Sequence, residues 1–132
     1  MFYIFSAALL LLVAGCTSSD VPTTEKTVQQ GATVNEPVLN VSALDKHDQL
    51  MAYHGEELSA EYFCDNGTCH NLPKLVCQFQ IYSEFLCFTI PNVNLSNSGI
   101  YKVVLNGHKD VRTLILNVEG QYVTVILSFL HL

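Results

Sequence analysis

Cysteine and asparagine are the residues through which this sequence offers covalent chemistry. Cys64, Cys69, Cys77 and Cys87 are grouped in mid-chain, and Cys16 stands apart near the start. Thiols in such a group either bind metal or pair as disulfides. Structural zinc sites use ligand pairs roughly two to four residues apart. Here four, seven and nine residues intervene between successive cysteines, and adding His70 does not create the pattern. Disulfides fit better, and four cysteines leave three pairings open: Cys64 with Cys69 and Cys77 with Cys87, or either of two crossed arrangements. The asparagines supply a second chemistry. Asn40-Val41-Ser42, Asn66-Gly67-Thr68 and Asn94-Leu95-Ser96 are acceptor triplets for N-linked sugar, where nine asparagines would give about one by chance.

Other chemistries find little support. His54-Gly55-Glu56-Glu57 does not continue to a second histidine at helical spacing, so it is not a zinc-protease motif. No serine sits in a Gly-x-Ser-x-Gly elbow and no glycine-rich phosphate loop is present. The five histidines are scattered and read as solvated loop residues. No catalytic residue, metal ligand or cofactor site is therefore expected. Six Lys plus Arg stand against twelve Asp plus Glu, a formal charge of −6 with no basic cluster. Nucleic acid, which requires a positive stripe to displace counterions, is a disfavoured partner.

Both kinds of chemistry need an exported chain, and the start of the sequence reads as one. Residues 1–16 are almost wholly apolar, too short to span a bilayer, and end in small residues before a polar run. The segment is expected to be a signal peptide. Val13-Ala14-Gly15-Cys16 also matches a bacterial lipobox, which would leave a lipid on Cys16, although the leader lacks Lys and Arg. Residues 17–26 read as a polar stalk, 27–119 as one domain, and 120–132 as an apolar terminal segment of open role: a final strand, a clipped membrane segment or a weak lipid-anchor signal.

Strands must position these residues. A strand from Thr27, a turn at Gly31 and a second strand made irregular by Pro37 come first. Asp48 to Leu58 gives another strand and its turn, and Cys64 and Cys69 flank an Asn66-Gly67 hairpin. Lys74 to Tyr82 reads as a strand; a turn centred on Tyr82 would bring Cys77 opposite Cys87. Leu86, Phe88 and Ile90 alternate with Cys87 and Thr89, and Tyr101, Val103 and Leu105 alternate with Lys102 and Val104. A turn at residues 107–110 leads to a last strand from Val111 to Val118.

The corner between Ile90 and Tyr101 carries a resemblance. Val93, Asn97, Gly99, Tyr101 and Val103 follow Ile90 at three, seven, nine, eleven and thirteen residues. This is similar to the E-to-F crossover of the immunoglobulin superfamily, where a tyrosine returns its hydroxyl to upstream backbone. The resemblance implies an all-β, immunoglobulin-like β-sandwich of two antiparallel sheets, variable-type or intermediate-type in strand spacing. It also implies that Val38 or Leu39 occupies the first core cystine position and Val103 the second, with Val38, Ile90, Tyr101 and Val103 in the core. The tryptophan usual on strand C is missing, and Tyr53, Tyr62 and Phe63 are the available substitutes.

Residues 48–106 further resemble the immunoglobulin-like domains of adenovirus early-region and cytomegalovirus membrane glycoproteins, and the Tyr-Lys-Val strand resembles that of CD2-like receptors. Those likenesses imply a secreted or surface-displayed glycoprotein that binds a protein partner, a cell-surface receptor, with viral immune modulation as one form. Strand alternation places Lys102 and Val104 outward, with either Thr113 and Ile115 or Leu114 and Leu116 beside them. Tyr53, Lys102 and Val104 are the candidate contact residues, in an apolar strip with Ile115 flanked by Lys102, Lys109 and Arg112. The alternative is an exported lipoprotein or a structural domain that associates with itself through strand edges.

Overall fold

Alternating residues build nine strands in the computed structural model, which describes residues 21–120. They are β1 (Thr23–Gln29), β2 (Val34–Asn40), β3 (Gln49–His54), β4 (Glu57–Asp65), β5 (Thr68–Asn71), β6 (Gln78–Tyr82), β7 (Phe85–Ile90), β8 (Gly99–Leu105) and β9 (Lys109–Glu119). Six form one sheet in the order β1-β9-β8-β3-β4-β5, and three form the other in the order β2-β7-β6. The fold is an immunoglobulin-like β-sandwich. The leader, Cys16, the first part of the stalk segment and nearly all of the apolar terminal segment lie outside the described residues.

The pleat decides which side chains meet between the sheets. Leu50 and Ala52 on β3, Tyr101 and Val103 on β8, and Leu114 and Leu116 on β9 all point inward and are buried. Val34, Phe79, Leu86, Phe88 and Ile90 meet them from the small sheet. The missing tryptophan is replaced by a run of rings. Tyr62 lies 6.0 Å from Phe79, Phe79 lies 5.7 Å from Phe88, and Phe88 lies 5.6 Å from Tyr101, all tilted. Of the three expected substitutes only Tyr62 joins this core. Tyr53 and Phe63 sit at the opposite pleat parity, partly exposed. Ala52 and Ala60, both fully buried, are small where Phe79 and Phe88 across the core are large, so volume is conserved between layers.

Several expectations are corrected. One sheet is not wholly antiparallel: β1 runs parallel to β9, from Thr23 opposite Thr113 to Gln29 opposite Glu119. β1 also begins at Thr23, inside the segment read as stalk, because Thr24 and Lys26 face inward toward a buried carboxylate. The last hairpin turns at residues 106–108, so β9 starts at Lys109. Val38 falls at the step where the β2–β7 register shifts between Pro37 and Leu39, and it packs half-buried at the margin of the core, whereas Val103 is fully buried.

The cysteines divide. Cys64 and Cys69 lie directly opposite on β4 and β5 and form a disulfide. Asn66 and Gly67 make the turn between them, with φ of 52° and 82°, as a two-residue hairpin loop requires. Cys77 and Cys87 are free and buried, which excludes the Cys77–Cys87 pair. The turn between β6 and β7 falls at Ser83-Glu84, so Gln80 stands opposite Cys87. With that register Cys77 shares the inward parity of Phe79, while Cys87 shares the outward parity of Thr89.

Arg112 is the other reversal. It pairs with Val103 and turns inward, not onto the outer strip. Its Nε donates to Glu36 Oε2 at 2.7 Å and its Nη2 donates to Thr24 Oγ1 at 2.7 Å, while Lys26 Nζ lies 3.1 Å from Glu36 Oε1. Glu36 is 1% exposed. Burial pushes its carboxyl up, but hydrogen bonding within the Thr24, Arg112 and Lys26 cluster outweighs that and holds it below the usual carboxylate range.

Candidate partner-binding face

Among the described residues the second sheet packs on the inner side of the six-stranded sheet, and the outer side carries the half-buried Met51, Tyr53 and Val104 and the exposed Ile100. Tyr53 stands directly opposite Lys102, and Met51 opposite Val104, across β3 and β8. Lys102 pairs with Thr113 on β9, and Tyr53 with Leu58 on β4. The three candidate residues Tyr53, Lys102 and Val104 therefore occupy two adjacent rows of one face. The phenol of Tyr53 donates to Met51 Sδ at 3.0 Å, fixing the ring along the strand. Lys102 is exposed; Tyr53, Val104 and Met51 are half-buried.

Ile115 does not sit beside Val104. It pairs with Ile100, two rows away, and the Lys102–Thr113 row lies between. The expected strip is thus two apolar patches divided by a cation. One is Met51, Tyr53, Val104 and Leu58. The other is Ile100, half exposed, with Ile115. Carboxylates border both, Glu61 opposite Met51, Asp110 opposite Val104 and Glu25 opposite Ile115. Such a face suits a partner that brings apolar side chains and an anionic group for Lys102.

The corner that the spacing marked is formed as expected. The Tyr101 hydroxyl donates to the Asn97 carbonyl at 2.6 Å, and burial pushes that phenol up to about 12. His54 is not the solvated loop residue that the sequence suggests. It closes β3, stacks on Tyr101 with ring centroids 4.3 Å apart, and its Nε2 donates to the Ser98 carbonyl at 2.9 Å. Gly99, at φ +136°, leaves the room: a Cβ there would lie 2.6 Å from His54 Nε2. The sequence signal for this contact was Gly99 alone, since a residue without a side chain leaves room for a neighbouring ring.

The acceptor asparagines are all at turns. Asn40 and Asn94 each begin a short 3₁₀ turn, and each side-chain oxygen accepts from the backbone N–H and the hydroxyl of its own triplet serine, Ser42 or Ser96. Asn66 is exposed in its hairpin turn. Neither Asn40 Nδ2 nor Asn94 Nδ2 has a hydrogen-bond partner among the described residues. Within the described residues, no group of three His, Cys, Asp or Glu is placed to hold a metal ion, and no helix is long and apolar enough to cross a membrane.

No protein-family model matches the sequence, and no curated protein matches it significantly. Solved structures do match in three dimensions. The extracellular domain of the voltage-gated sodium channel β4 subunit, solved as a parallel homodimer, aligns with TM-score 0.56 and 13% identity over 77% of this chain and 89% of that one. The CD2-binding domain of CD58 aligns with TM-score 0.52 and 14% identity over 73% of this chain and 53% of that one. Titin domain M4 aligns with TM-score 0.51 and 17% identity over 76% and 92%. At such identities these likenesses establish the architecture alone: the chain is immunoglobulin-like in fold.

Proposed function

We propose that this chain is a secreted or surface-displayed glycoprotein domain that binds a protein on a cell surface through the outer face of its six-stranded sheet. The observation that carries the reading is the placement of Tyr53, Lys102 and Val104 in adjoining rows on the side of the sheet that no other described element covers. An apolar centre with a single cation and an acidic border gives contact area together with charge selection. The sodium channel β4 domain associates in cell–cell adhesion and the CD58 domain binds CD2, so this architecture supports recognition of either a like or an unlike partner. Diversion of a host immune receptor is the finer form of the reading and rests on the resemblance of residues 48–106 to viral glycoproteins.

The test is capture of the secreted domain by a panel of cell-surface receptors, run with Val104→Glu beside the unaltered chain. A captured receptor that is lost with Val104→Glu, while the variant keeps the circular dichroism and melting behaviour of the parent, supports the face. A receptor captured equally by both moves recognition elsewhere. Capture of no receptor, with concentration-dependent dimerisation that Val104→Glu abolishes, identifies the partner as a second copy.

A further inference from the structure

From the geometry at one end of the sandwich we infer that Asn94 carries an N-linked glycan whose first sugar lies in the cleft beside it, closing the gap left by a shortened strand. The inference rests on the glycoprotein reading above and adds a place for one sugar. β6 begins only at Gln78, and residues 72–77 before it form no strand, so the edge of the small sheet is open there. The opening is a cleft of about 600 Å³ lined by the apolar Val76 and Pro91 and by the polar Glu57, Lys74, Asn94 and Ser96. Val76 is 73% exposed, more than any other large apolar residue among those described.

A tethered sugar matches this site chemically. Its ring has an apolar face of C–H groups for Val76 and Pro91, and its hydroxyls and acetamide find polar partners on a rim that also includes Asn92. Asn94 Oδ1 is held by the backbone N–H and hydroxyl of Ser96, which leaves Nδ2 of this exposed, cleft-lining side chain as the atom for attachment. Attachment forms a bond from Nδ2 to the anomeric carbon and breaks the anomeric C–O bond of a lipid-pyrophosphate oligosaccharide donor. The pyrophosphate leaves, and the amide gives up one proton. Because the sugar is covalently held, its effective concentration at the cleft is on the order of millimolar or more, so weak contacts suffice to keep it there.

The full chain produced in mammalian cells, trimmed enzymatically to one sugar per site, is compared with the chain made in a host without N-glycosylation. Glycopeptide mass spectrometry is expected to find Asn94 occupied. Hydrogen exchange of residues 72–77 is expected to be slower by roughly threefold or more with the sugar present. Val76→Ser should remove most of that difference without removing the sugar. An occupied Asn94 with unchanged exchange at 72–77 overturns the cleft assignment. Occupancy at Asn40 or Asn66 but not at Asn94 overturns this inference alone, whereas no sugar at any of the three also overturns the glycoprotein reading. Ser96→Thr, which keeps the acceptor triplet, should retain both sugar and protection.

Discussion

The two faces of the six-stranded sheet share their backbone and differ in everything that follows. Leu50, Ala52, Tyr101 and Val103 point to the inner side and lie at 1% exposure or less, while Met51, Tyr53, Lys102 and Val104, their immediate neighbours in sequence, point outward and are only half-buried or exposed. The inner set is constrained by volume, since each side chain must fill space left by the opposite sheet. The outer set meets no opposing sheet among the described residues and is free of that demand. The comparison separates residues that hold the domain together from residues available to a partner.

Substitutions should fall along that division, beginning with the core. Phe88→Ala removes the ring that links Phe79 to Tyr101. A loss of about 3–5 kcal/mol in chemical denaturation is expected, enough to leave much of the chain unfolded at 37 °C.

Glu36→Gln tests the one charged intrusion into the inner side. At neutral pH it should cost about 2 kcal/mol, below the usual penalty for breaking a buried pair because Arg112 and Lys26 retain access to water. The pH dependence gives the sign. Glu36 has a depressed carboxyl pKa in the folded chain, so its contribution is fully present above the unfolded value near 4.5 and is lost as pH falls through the folded value. The gap between parent and variant should therefore narrow as urea titrations move from pH 7 toward pH 3.

Tyr101→Phe keeps the buried ring and removes only the hydrogen bond to Asn97. About 1 kcal/mol should be lost, read as a shift of denaturation midpoint with unchanged slope. Val104→Glu, on the outer side, loses a half-buried aliphatic group and faces Asp110, so it should cost about 1 kcal/mol or less while removing partner capture. If it instead destabilised the domain as Phe88→Ala does, the outer face would be a second packing surface and the distinction between the faces would fail.

Legibility followed sequence distance. The Asn66-Gly67 hairpin with Cys64 and Cys69, and the corner from Ile90 to Tyr101, were readable because each is closed by residues a few positions apart whose conformational needs are local. The β6–β7 turn was not. Ser83 and Glu84 carry no glycine or asparagine to mark them, and moving the turn from Tyr82 to Ser83-Glu84 changed the partner of Cys87 and sent the two thiols to opposite faces. The side of the sheet on which Tyr53, Lys102 and Val104 stand was legible because strand alternation fixes it, but their spacing relative to Ile115 depended on the register shift at Val103 and Val104.

Periodicity and corner spacing by themselves determined that two layers of strands would enclose a core, and which half of each strand would face it, because a strand presents alternate side chains to alternate sides. Only the assembled sandwich decided that Glu36 would be gripped by Arg112 from 76 positions away, that Phe79 and Phe88 would fill the place of a tryptophan, and that Cys77 would stay a thiol. Those outcomes depend on register and on the volume between sheets, quantities that belong to pairs of distant segments and to no single stretch of the chain.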